Sequence, residues 1–338
     1  MAAQHVHLQL QFADAPQADG ALDHPLLAML AAVQAAGSIQ RAAAALGVSY
    51  RHLWGALKRW EGQLGQPLVL WTQGHPARLT PAALRLLTGT RLACARQAAQ
   101  IDALRAAMDQ ALAAAQGTAP PALAVVASPE PVLALLRRRL QAAGLLHLQL
   151  QADTSWGALR ALAEGRCAVA AVHRPPPGTP FDAGLAALLA GGAHRVLLHV
   201  QRRQGLMLAP GNPLLLEVPP ALARPGVRVV GRPAGSGTRA LLEQWLAGTA
   251  LALVGEEPSH DAAAAAVACG LGDAAAGTEA AALAAGLHFV PVQHDDWLLL
   301  TASAALQQPA VQTLQQQLQA PAWHAAVATL PGHRVVPD

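Results

Sequence analysis

The stretch from Gly37 to Leu64, GSIQRAAAALGVSYRHLWGALKRWEGQL, constrains the fold of this chain more than any other. It reads as two helices joined by a tight turn. Ser38 can cap a first helix over residues 39–46, and Ser49 a second from Tyr50 to about Gln63, because a hydroxyl there accepts from an N–H that the first turn leaves orphaned. Gly47 suits the stop between them, since a residue without a Cβ tolerates the left-handed conformation, and Val48 is a small apolar plug. Leu53, Leu57, Trp60 and Leu64 recur at i, i+4, i+7 and i+11 and share one face of the second helix. Tyr50, Arg51, Gly55 and Lys58 fall largely on its other faces. A helix apolar on one side and cationic on the other fits a core beneath and a major groove above. The same pattern also describes an ordinary helical hairpin with a solvated basic face.

The residues that follow separate these two readings. Leu68–Trp71 is a short apolar strand, Gly74-His75-Pro76 a turn and Ala77–Leu79 a return strand, with Arg78 near the tip. A β-hairpin placed directly after the second helix makes a winged helix-turn-helix. Thr80-Pro81 then opens a long helix that runs to about Ala115, with Thr as cap and Pro at the first helical position. The net charge of the whole chain is only +3. Between His24 and Arg78, however, Arg41, Arg51, Lys58, Arg59 and Arg78 stand against Glu61 alone, and the chain's only lysine and only tyrosine both fall in the second helix. A local basic patch in a nearly neutral chain fits phosphate contacts.

In chain order, residues 5–12 alternate as a strand, 13–23 form a polar loop and 25–36 a first helix. Gly117-Thr118-Ala119-Pro120-Pro121 breaks any helix and marks a boundary. Beyond it strands expected at 123–127, 146–151, 168–173, 195–200, 204–209, 227–231, 274–277, 289–292 and 297–301 alternate with helices, which argues a parallel α/β sheet. Its length suits two lobes. The expected division is residues 1–79 as winged helix-turn-helix, 80–116 as linker and dimerisation helix, and 121–338 as the α/β domain. The fold class is thus α/β behind a helix-rich N-terminus.

The chain is 53% hydrophobic, yet no run of about 18 apolar residues stands out, so no membrane span is expected. No signal peptide is read at the N-terminus. Three widely spaced cysteines make neither a disulfide framework nor a metal motif, which fits a reducing cytoplasm. The histidines lack the paired spacing of a metal site, and nothing calls for a cofactor.

Four loops share a feature. Ser128, Thr154-Ser155, Gly235-Ser236-Gly237-Thr238-Arg239 and Ser259-His260 each put a hydroxyl at the start of a helix, where N–H groups point outward and the dipole favours negative charge. In parallel α/β sheets such loops lie at the carboxyl ends of strands, where ligands bind. Converging on one cleft, they would bind an anion through neutral donors, with the two glycines allowing close backbone approach and Arg239 adding charge. Each serine taken alone is also an ordinary N-cap.

The residues GSIQRAAAALGVSYRHLWGALKRWEGQLGQPLV and ARLTPAALRLL resemble the N-terminal domain of the molybdate-responsive ModE regulators and, less closely, LysR-type regulators. The resemblance covers roughly residues 5–115. It implies a homodimer or higher homo-oligomer on palindromic double-stranded DNA, with Ser49, Tyr50, Arg51, His52, Gly55, Lys58, Arg59 and Arg78 at the DNA. The segments QGLMLAPGNPL, VVGRPAGSGTRALLEQWL, SHDAAAAAVACGLGDAAAGTEAAA and LHFVPVQHDDWLLLT resemble the periplasmic molybdate-binding type of solute-binding domain, in the form fused to regulators. That implies two lobes closing on an oxyanion, molybdate or tungstate, held by Ser128, Thr154, Ser155, Ser236, Gly237, Thr238, Arg239, Ser259 and His260. Two departures from the pattern are Glu130, a carboxylate in the first loop, and the Asp153-Thr154-Ser155-Trp156 turn, with Trp156 expected at the cleft edge. Sulfate or an organic acid is the alternative ligand. An α/β hydrolase is the alternative class, with His173, His260 or His294 as base, though no Gly-x-Ser-x-Gly follows a strand.

Overall fold

The computed structural model describes residues 24–71, 76–128, 130–174, 180–249 and 251–337. The strand expected at 5–12 and most of the turn at the wing tip lie outside the described residues. Helices α1 (Pro25–Ala36), α2 (Ile39–Ala45) and α3 (Tyr50–Leu64) are followed by the antiparallel pair β1 (Val69–Leu70) and β2 (Arg78–Leu79). Side-chain caps start the second and third helices: Ser38 accepts from the Arg41 N–H at 3.5 Å and Ser49 from the His52 N–H at 3.1 Å. Gly47 is left-handed, with φ +67°. Leu53 and Leu57 of α3 are buried against Leu26, Leu30 and Val33 of α1, with Trp60 and Leu64 packed at the rim.

Thr80 caps α4 (Pro81–Ala115), a single helix of 35 residues. It does not stand free of the α/β half. Leu92 is buried among Met207, Val230 and Ala263, and Arg96 forms a two-pronged ion pair with Glu257 at 2.9 and 2.6 Å. Further along, Asp102 pairs with Arg137 at 3.3 Å and Asp109 accepts from Gln141 at 2.7 Å.

The α/β half runs β3 (Ala122–Ala127), α5 (Pro131–Ala142), β4 (His147–Ala152), α6 (Ser155–Ala163), β5 (Val169–Arg174), α7 (Pro180–Ala190) and β6 (His194–Leu208). It continues β7 (Val229–Gly231), α8 (Gly237–Trp245), β8 (Leu253–Glu256), α9 (His260–Ala268), β9 (Ala274–Thr278), α10 (Glu279–Ala284) and β10 (His288–Ala302). The chain ends with α11 (Pro309–Gln319), α12 (Pro321–Val327) and β11 (His333–Val335). The sheet order is β4-β3-β5-β10-β6-β9-β7-β8, with β11 also on β6.

The sheet is mixed, not parallel throughout. Strands β3, β4 and β5 are parallel in one lobe and β7, β8 and β9 in the other, while β6 and β10 run antiparallel to their neighbours and through both lobes. The strand pairs expected at 195–200 and 204–209, and at 289–292 and 297–301, are each one continuous strand of 15 residues. The polar residues between them are no turns. They face one another in register, Arg202 opposite Asp295 and Gln201 opposite Asp296, and the Arg202–Asp295 ion pair ties the two strands at the lobe junction.

The crossing is tight at Gly205, where an added Cβ would collide with the Val290 carbonyl oxygen and stand 3.0 Å from the Pro291 Cα. Backbone atoms inside a ladder cannot step aside as a side-chain end can. Gly205→Ala is expected to cost about 3 kcal/mol or more, at the upper end of overpacking penalties, read as a drop in the urea midpoint. A loss below about 1 kcal/mol would show that the two strands separate easily.

Candidate functional site

The carboxyl ends of β3, β5, β7 and β8 meet at the junction of the lobes. From the first lobe, Ser128 hydrogen-bonds His173 Nε2 at 2.8 Å, and Ser155 Oγ accepts from the His173 backbone N–H at 3.1 Å. From the second lobe, Gly237 at the start of α8 lies so close that a Cβ there would be 3.6 Å from the His173 Cβ. Behind it Thr238 Oγ1 is 3.5 Å from His260 Nε2, and both residues are buried. Ser236 and Ser259 cap α8 and α9 by accepting from the Arg239 and Ala262 N–H groups.

The floor of the junction is ionic. Arg202, 1% exposed, donates to Asp295 through Nε at 2.9 Å and through Nη2, and to Glu130 through Nη1. Glu130 also accepts from His333 at 3.1 Å, and Asp295 from Gln204 at 3.1 Å. Burial alone would raise the Glu130 carboxyl, but the Arg202 guanidinium and then His333 hold it far below the usual carboxylate range. Glu130 is therefore matched within the protein and does not confront a ligand as a bare charge.

Arg232, directly after β7, is different. Its Nη2 donates to the Pro258 carbonyl at 2.9 Å, while Nε and Nη1 are buried without an acceptor. Burial, and then repulsion from Arg202, pushes its guanidinium down to about 10. Burial followed by Arg202 also pushes the His173 imidazole down to about 4, and burial followed by Arg232 holds His260 well below the ordinary value. Both rings are thus neutral near pH 7. Between about pH 4 and 6.5 the unfolded chain takes up a proton that the folded His173 refuses, so stability rises with pH across that window. The urea midpoint is expected to be lower at about pH 5 than at pH 7, and the slope to flatten in His173→Gln. An unchanged slope in that variant would remove His173 as its source.

The sequence-proposed residues divide on this geometry. Ser128, Ser155, Gly237, Thr238 and His260 come together at the junction, with Ser236 and Ser259 at the helix starts beside it. Arg239 turns away: its Nε pairs with Glu243 at 2.6 Å and its Nη1 with Glu256 at 3.3 Å. Thr154 caps α6 through the Gly157 N–H at 3.1 Å and, with Asp153, Trp156 and Arg160, lines a groove on the outside of the first lobe. Trp156, expected at the cleft edge, is instead 48% exposed in this groove, edge-on to Phe181. Arg232, Arg202 and Gln204 at the junction carry no motif that sequence pattern picks out. The one local signal for Arg232 was an arginine directly after the apolar strand and without an acidic neighbour at helical spacing.

The Ser128–His173 pair invites a hydrolase reading, but His173 Nδ1 is buried without a partner. A base needs a third group to orient it, and one held at about 4 removes protons poorly. Among the described residues no group of histidine, cysteine and carboxylate side chains is placed to hold a metal, and no helix is long and apolar enough to cross a membrane.

On the N-terminal unit, Ser49, Tyr50, Arg51, His52, Lys58, Arg59 and Arg78 are exposed, and Gly55 is partly so. Lys58 is tied down, 2.7 Å from Glu61 and over the Trp54 ring. Residues 25–84 match the lysR family of bacterial regulatory helix-turn-helix proteins, and residues 136–319 match the PBP superfamily domain. The chain thus belongs to the PBP superfamily, and its N-terminal unit is similar to the helix-turn-helix of lysR-family bacterial regulators. It is similar to the solved structure of ArgP from Mycobacterium tuberculosis, at 21% identity over 88% of this chain and 96% of that one, with a TM-score of 0.43. It is also similar to OxyR from Corynebacterium glutamicum, at 18% identity over 90% and 92% with a TM-score of 0.46. For full-length OxyR from Pseudomonas aeruginosa the values are 15%, 88%, 96% and 0.44. No curated protein matches the chain in sequence.

Proposed function

We propose that this chain is a LysR-type transcriptional regulator that acts as a homodimer on double-stranded DNA and responds to a small oxyanion, molybdate or tungstate in the first instance, bound between its lobes. The observation that carries the anion reading is Arg232, whose buried Nε and Nη1 lack an acceptor. A buried donor left unpaired costs about 1–3 kcal/mol, more when charged, and an anion supplies what is missing. Ser128, Ser155, Gly237 and Thr238 add neutral donors, and the α8 and α9 N-termini add favourable dipoles. Dimerisation through α4 is supported by the exposed Leu84, Leu86, Leu104 and Leu112 along one 35-residue helix. A carboxylate ligand is the second reading, favoured by the same guanidinium, which matches a carboxylate in charge and shape.

Calorimetric titration of the full chain with molybdate, tungstate, sulfate and short-chain carboxylates tests both. Saturable binding of a tetrahedral anion, with a rise in melting temperature, is the expected result. Binding of carboxylates alone would select the second reading, and no shift with any of them at millimolar concentration would overturn the anion site.

A further inference from the structure

The outer face of α3 carries an ordered aromatic ladder. Tyr50, 48% exposed at the first helical position, lies parallel to Trp54, with ring centroids 6.5 Å apart and planes 7° from parallel. Trp54 is partly buried and packs on the core of the N-terminal unit. Its ring is covered by Lys58 Nζ at 4.8 Å from the centroid, and Lys58 is in turn 2.7 Å from Glu61. Glu61 then accepts from the Leu68 N–H at 2.8 Å and the Val69 N–H at 3.3 Å, at the root of the wing. The side chains at i, i+4 and i+8 are therefore braced from the wing up to Tyr50.

This has a consequence for base recognition. The first residues of a recognition helix are those that meet base edges. A tyrosine free to swing could reach a phosphate with its hydroxyl, but the parallel Trp54 ring restrains this one, which offers an exposed aromatic surface at the helix start. In the major groove the apolar feature of a base pair is the thymine 5-methyl group. We infer that Tyr50, braced by Trp54, reads a thymine methyl in each half-site, so that this residue sets part of the operator sequence. The inference rests on α3 entering the major groove.

The test starts from operators selected by the full-length protein from a randomised double-stranded pool. Each thymine is then replaced singly by deoxyuridine, which removes only the methyl group, and affinity is measured at fixed salt. The wild type is expected to lose about three- to tenfold at one thymine per half-site. Tyr50→Phe should keep that discrimination, and Tyr50→Ala should bind the thymine and uracil operators equally while still binding unrelated DNA. Indifference of the wild type to uracil at every position would overturn the inference, as would full discrimination persisting in Tyr50→Ala. Loss of discrimination in Tyr50→Phe would also overturn it, because the hydroxyl and not the ring edge would then be the reading group. If the wild type enriches no sequence at all, the groove placement itself fails. Equal melting temperatures of the variants, expected for so exposed a side chain, exclude misfolding as the cause.

Discussion

Replacing Arg202 by leucine is expected to destabilise the full chain by about 3–5 kcal/mol, the usual cost of removing one partner from a buried ion pair. Arg202 is 1% exposed and is the common donor to Glu130 and Asp295 at the point where β6 and β10 cross between the lobes. Without it two carboxylates face each other in a dry junction, and His333 and Gln204 cannot match both. Either a proton is taken up or the strands part. Adding Glu130→Gln and Asp295→Asn to the leucine variant should recover much of the loss, because the uncompensated charges are then gone. Urea unfolding at pH 7 measures this, and a single-variant loss below about 1 kcal/mol would mean that water reaches the junction and solvates the carboxylates.

Arg232→Ala should act in the opposite sense on stability. The folded protein now holds a cation whose Nε and Nη1 have no acceptor, and its guanidinium is pushed down to about 10, first by burial and then by Arg202. Such a shift in a base means that the charged form is less comfortable folded than unfolded, so its removal is not expected to lower the melting temperature of the anion-free protein. Anion affinity, by contrast, should fall by about 100-fold or more, since two charge-assisted bonds of about 1.5–3 kcal/mol each disappear. Calorimetry on the variant alongside a thermal melt reads both effects. Affinity within threefold of wild type would remove Arg232 from the anion site. A large drop in melting temperature without anion would show instead that the guanidinium has a structural role.

These two arginines also mark what sequence pattern can and cannot reach. The N-terminal unit was legible because its signals are local. Ser38, Ser49 and Thr80 cap the helices they precede, Gly47 takes the left-handed turn, and Leu53 and Leu57 fall on the face that is buried. The hydroxyls at strand ends were legible for the same reason, since a strand followed by a helix places the loop. The crossing strands were misread because Gln201–Gln204 and Gln293–Asp296 break the apolar pattern, and an unpaired run of such residues belongs in a turn. Only their pairing 93 residues apart makes them a ladder, and no local window contains both. Arg239 stands out in the sequence because it sits beside the glycines, yet Glu243 one helical turn on claims it. Glu130 is a departure from the pattern of an anion site in the sequence alone, and Arg202, distant in sequence, matches its charge in the fold.

The path of α4 has a mechanical meaning. Arg96 pins the helix to Glu257 in the second lobe, whereas Asp102 and Asp109 pin it to Arg137 and Gln141 in the first. The 13 residues from Arg96 to Asp109 span roughly 20 Å of helix at about 1.5 Å per residue. A straight rod fastened to two bodies removes most of their freedom: they can swivel about its long axis, and any other relative rotation must pull out a fastening. The same rod continues without interruption into Pro81 and the wing, so whichever fastening yields first decides the direction in which α3 is turned.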